Sequence, residues 1–116
     1  MFVGVMSLAL LPTRTYGQAQ TVQYEEVFKA EILAGRVLDQ AGSTIGGVRV
    51  QVCGKHWINC STSTNTNQDG SFSFPAVTEK RLYHLRLTSP GFNPLEVSVK
   101  TGYAGKELIL KMQIAT

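Results

Sequence analysis

GRVLDQAGSTIGGVRVQV, residues 35–52, changes pattern within a short span. Its last part alternates: Val48, Val50 and Val52 take every second position, with Arg49 and Gln51 between them. Successive side chains of a β-strand point to opposite faces, so this spacing predicts a strand with one apolar face. The middle part, DQAGSTIGG (39–47), is built from residues that favour tight or left-handed turns. Asp39 can accept backbone N–H bonds there, and Gly42 can take a positive φ. Residues 32–38 before it read as another strand. Strand, turn, strand, with no helical period, is the expectation this stretch sets for the rest.

The rest repeats it. TNQDGSFSFPAV (66–77) carries an Asp69-Gly70 turn followed by Phe72 and Phe74 on one face, with Ser71 and Ser73 on the other. YHLRLTSPGF (83–92) alternates Tyr83, Leu85 and Leu87 with His84 and Arg86, then turns at Pro90-Gly91. Leu95, Val97 and Val99 alternate with Glu96 and Ser98, and Leu108, Leu110 and Met112 alternate with Ile109 and Lys111. About seven short strands with no helix between them predict an all-β antiparallel sandwich, not a parallel sheet. Residues 20–30, QTVQYEEVFKA, form a lead-in whose Tyr24, Val27 and Phe28 suit either a helical turn or docking on the sandwich edge.

Composition narrows the function classes. A chain of 116 residues supports one domain, and 43% apolar with 16% charged residues fits a globular fold rather than a disordered one. The net charge of +3 comes from basic residues scattered singly, with only Lys80 and Arg81 adjacent. Without a basic stripe to grip phosphates, nucleic acid is not an expected partner.

Residues 1–19 stand apart. Phe2 to Leu11 is an apolar run, too short for a membrane-spanning helix and of the length of a signal-peptide core. Pro12 and the small residues near Gly17-Gln18-Ala19 follow it, which predicts a signal peptide cleaved after Ala19 and no stable membrane span after its removal. The lack of Lys or Arg before the run and the position of Arg14 after it run against this; the alternative is an ordinary first strand or helix.

Taken in order, Gly35, Val37, Asp39 and Gly42, then Gly47, Val48 and Val50, then Asp69, Gly70, Phe72 and Phe74, then Tyr83, Leu85 and Leu87, then Gly91 and Phe92 resemble the motifs of the carboxypeptidase regulatory-like family. The resemblance implies a transthyretin-like (prealbumin-like) β-sandwich over residues 31–116, behind the signal-like segment 1–19 and the lead-in 20–30. Asp39, Gly42, Asp69, Gly70 and Gly91 would be its turn residues. It also implies no catalytic residues and no cofactor. Family members serve as accessory modules behind zinc carboxypeptidase domains, at the start of outer-membrane receptors, and on bacterial secreted or surface proteins.

The chain's distinctive chemistry lies in CGKHWINC (53–60), which holds both cysteines and the only tryptophan. Two cysteines with six residues between them and one histidine fall short of a structural zinc set, and C-x-x-C redox spacing is absent. In an exported protein a Cys53–Cys60 disulfide is the expected state, with free buried thiols the alternative in a cytosolic one. Lys55, His56 and Trp57 then become candidate binding residues: Trp is a common anchor, and basic neighbours suit a carboxylate or phosphate. Trp57 folding back to cover core is the competing role. Asn59-Cys60-Ser61 also fits the N-x-S glycosylation pattern, which bears on a eukaryotic host only.

No catalytic constellation emerges. No Ser has a G-x-S-x-G context, and Glu25-Glu26, the one adjacent acidic pair, lies in the lead-in. NQDG lacks the repeated acids of a calcium loop, so no metal is expected. The hydroxyisourate hydrolases, transthyretin-like enzymes, end in Tyr-Arg-Gly-Ser, where residues 107–116 here read ELILKMQIAT. The expectation is a secreted, periplasmic or cell-surface module, not an enzyme, that binds an unknown protein or glycan. The alternative is a self-assembling or adhesion unit that uses an exposed strand edge.

Overall fold

The structure, a computed structural model, describes residues 19–116; the predicted signal peptide therefore lies outside the described residues except for Ala19. Eight strands follow in chain order: β1 (Val22–Ala30), β2 (Ala34–Asp39), β3 (Arg49–Cys53), β4 (Thr62–Asn65), β5 (Ser71–Ser73), β6 (Leu82–Thr88), β7 (Leu95–Thr101) and β8 (Leu108–Met112). They form a sandwich of two sheets, one ordered β1-β7-β6-β3-β4 and the other β5-β2-β8.

The alternating residues make its core. Val50 of β3, Leu85 and Leu87 of β6, and Val97 and Val99 of β7 are essentially inaccessible, and Val37 of β2, Leu110 and Met112 of β8, and Phe72 and Phe74 meet them from the side of the smaller sheet. Burying one such side chain contributes about 1.5–3 kcal/mol. The intervening residues, His84, Arg86 and Ser98 among them, stay partly accessible on the outer face of the larger sheet.

Pairing direction departs from the antiparallel expectation. β3–β4, β3–β6, β6–β7 and β2–β5 are antiparallel, whereas β1–β7 and β2–β8 are parallel, so both sheets are mixed. The cause is that both the β1–β2 and the β7–β8 connections cross from one sheet to the other. They run side by side: Glu31 N donates to Lys106 O at 3.0 Å, Gly102 N to Glu31 O at 3.1 Å and Tyr103 N to Ala30 O at 3.1 Å. The lead-in is thus no helical turn. It is an edge strand of the larger sheet, with its ladder interrupted between Gln23 and Val27.

The turns work by the chemistry their letters suggest. Asp39 Oδ1 accepts from Ala41 N and Ser43 N, both at 2.9 Å, and Asp69 Oδ1 accepts from Ser71 N at 3.1 Å and Ser71 Oγ at 2.7 Å. The Ser71 bonds hold the Asp69 carboxyl below its ordinary pKa of 3.8. Gly42, Gly70 and Gly91 carry φ of 91°, 78° and 84°, a region in which a Cβ is strained.

Candidate functional site

β3 ends at Cys53, which lies opposite His84 of β6, and the chain then turns back over the outer face of the larger sheet. A disulfide joins Cys53 to Cys60. Within the closed loop Gly54 N donates to Ile58 O at 2.6 Å and Trp57 N to Gly54 O at 2.9 Å. Three non-glycine residues there, His56, Trp57 and Asn59, have φ of 60°, 55° and 56°. Each costs about 1 kcal/mol or more, so the loop keeps this shape only because its surroundings enforce it.

Those surroundings are the outward residues of β6 and β7. The Trp57 indole N–H is shared between the carbonyls of Leu85 and Val97, each at 3.1 Å, and its ring stands edge-on to His84 with centroids 5.1 Å apart. The Trp57 carbonyl accepts Arg86 Nη2 at 2.9 Å. Arg86 also donates through Nε (3.0 Å) and Nη2 (2.8 Å) to Glu96 Oε2, while Gln23 Nε2 of β1 donates to Glu96 Oε1 at 2.8 Å. One polar layer therefore runs from β1 through Glu96 and Arg86 to the loop. Register builds it, because Arg86 and Glu96 are directly opposed, as are His84 and Ser98.

His84 Nδ1 stands 3.1 Å from Ser98 Oγ. Burial first, then the nearby His56 and Lys55, hold His84 below its ordinary pKa of 6.5, so it is neutral at pH 7. The contact joins β6 to β7, and Glu96, the carboxylate of β7, is committed to Arg86 and Gln23. Among the described residues no three His, Cys, Asp or Glu side chains gather as a metal set, and no helix is long and apolar enough to cross a membrane.

The three candidate binding residues separate here. Lys55 and His56 are exposed, and Ile58 joins them at 58% exposure. Trp57 is half-buried and serves as the loop's anchor, lying over the sheet's outer face instead of over the core. Closing a loop of this length removes about 2.5 kcal/mol of unfolded-chain freedom. Reduction, or the Cys53→Ser/Cys60→Ser pair, is expected to lower unfolding free energy by about that amount and to red-shift Trp57 emission. Unchanged stability and emission after reduction would mean that the hydrogen bonds alone hold the loop.

A second concavity escaped the sequence reading. A cleft of about 350 Å³ opens between the sheets where β1 ends and β6 begins, lined by Ile32, Leu33, Phe74, Pro75 and Val77 with Glu79 at its rim. Its residues come from separate connections, so no single stretch announces it.

The order of motifs, the two-sheet sandwich and the turn geometry agree with one family. Residues 32–114 match the family model of the carboxypeptidase regulatory-like domain. The chain belongs to that family. The matched span takes in every strand of this regulatory-like domain except β1. No curated protein matches the chain.

Proposed function

We propose that this regulatory-like domain is an exported, non-catalytic binding module whose contact surface is the clasped loop 53–60. The observation that carries the reading is a strained backbone held by a disulfide, the Trp57 indole and Arg86, which presents Lys55, His56 and Ile58 to solvent. A surface fixed before contact loses little conformational entropy on binding. Two basic groups beside an exposed aliphatic side chain suit an acidic partner, either a uronic-acid glycan or an acidic peptide on a cell surface.

Calorimetry against polygalacturonate and against an acidic peptide, with a neutral glucan as control, tests this. Lys55→Ala/His56→Ala is expected to weaken binding about tenfold or more, with thermal stability unchanged because both side chains are exposed. Equal binding by the double variant, or no binding by the wild type to either acidic probe, ends the reading. Export has its own measurement: protein recovered from the native host should show by intact mass the loss of residues 1–19 and a closed disulfide.

A further inference from the structure

Among the described residues β1, nine residues long, pairs with β7 on one side only, and its other edge turns a row of backbone N–H and C=O groups outward. Most strands run about five or six residues, and long open edges are templates for another strand. Gln23 and Val27 stand opposite Glu96 and Ser98, which places them on the outer face of the sheet, and Val27 is 45% exposed. Glu25 and Lys29 flank Val27 at two residues on either side and both are exposed, Lys29 in the regular part of the ladder and Glu25 in the stretch where its register shifts. Lys29 rests loosely over the Tyr103 ring of its own chain, 5.2 Å from the centroid.

That spacing is self-complementary. When two β1 strands run antiparallel about a two-fold axis at Val27, Val27 meets its own copy and Glu25 of each strand faces Lys29 of the other. Opposite charges directly across an antiparallel pair stabilise it, and like charges oppose it. Other arrangements lose this match. Centred on Glu26, the pairing sets Glu26 against itself; in parallel register, Glu25 meets Glu25 and Lys29 meets Lys29. The charges that guard this edge against indiscriminate pairing thus leave one register open.

We propose that β1 is a homodimer interface, in which a second copy adds its β1 antiparallel about Val27 and joins the two larger sheets into one. The contact is isologous, so it closes on itself and gives dimers rather than fibres. It uses a different surface from the clasped loop and stands or falls separately from that loop's proposed role.

Sedimentation equilibrium of the full chain, from about micromolar to millimolar concentration, tests it. The wild type is expected to show a monomer–dimer equilibrium. Glu25→Lys and Lys29→Glu each turn two attractive contacts into two repulsive ones and should each raise the dimer dissociation constant about tenfold. Combining them restores both pairs with the signs exchanged and should return the constant to within about threefold of wild type. These side chains are exposed, and Trp57 emission confirms an intact fold in each variant. A wild type that stays monomeric throughout overturns the proposal. So does a dimer indifferent to both single changes, or a double variant as weak as the singles.

Discussion

Arg86→Met is expected to cost about 3 kcal/mol of folding stability, toward the lower end of what removing one partner of a buried ion pair costs, because the Arg86 side chain is one-third accessible. Methionine keeps much of the apolar stem, so the loss is mainly electrostatic. Glu96 is 8% exposed, and without Arg86 its carboxylate retains only the Gln23 amide. The same change frees the Trp57 carbonyl and loosens the clasped loop from β6. Arg86→Met/Glu96→Leu removes the stranded charge as well as the cation, and should recover to within about 1 kcal/mol of wild type. Urea unfolding followed by Trp57 fluorescence, with unchanged m-values, gives both numbers. A single-variant cost below about 1 kcal/mol would show that water reaches Glu96 freely and that the polar layer does not hold the loop.

Gly35→Ala is expected to be at least as damaging, at about 3 kcal/mol or more, or a fall in Tm of roughly 15 °C. Gly35 lies in β2, the middle strand of the smaller sheet, between Phe72 of β5 and Leu108 of β8. A Cβ there would overlap the Leu108 carbonyl oxygen and come within 2.9 Å of Leu108 Cβ. Backbone cannot give way as a flexible side-chain end can, so β8 must move off β2. Leu108 and Leu110, both 1% exposed, would move with it. Circular dichroism melts and soluble yield measure the effect. A variant that melts within about 5 °C of wild type would mean that the β2–β8 ladder can shift cheaply.

The sandwich was legible because its core is written at period two: Tyr83, Leu85 and Leu87 of β6 and Leu108, Leu110 and Met112 of β8 are buried as the alternation requires. Strand direction was not. Buried parallel strands usually advertise themselves as continuous apolar runs, but β8 alternates like an antiparallel strand and β2 buries only Val37 fully, so neither carries that signature. β1 was ambiguous for a local reason: the ladder breaks between Gln23 and Val27, and Glu25-Glu26 interrupts the period there. For the loop, the disulfide followed from two cysteines and an expected oxidising compartment. The anchoring of Trp57 did not, because the indole's partners are backbone carbonyls 28 and 40 residues away that carry no side-chain signature. Arg86 and Glu96 were visible as outward residues, yet only the register makes them partners.

The two parallel ladders also order events in time. β1 has no partner until β7 exists, and the Gln23–Glu96 bond that helps join them spans 73 positions of chain. β2 can pair with β5 earlier, but its parallel ladder waits for β8. While the chain grows on the ribosome, β3, β4 and β6 can zip together as neighbours, but the larger sheet is complete only when β7 emerges and the smaller only when β8 does. Contacts this distant also slow folding itself, since the entropy of closing long loops comes due before their reward. Under the export proposed above, that delay would serve a chain that must thread a narrow channel before it folds. The first strand stays open until the seventh is free.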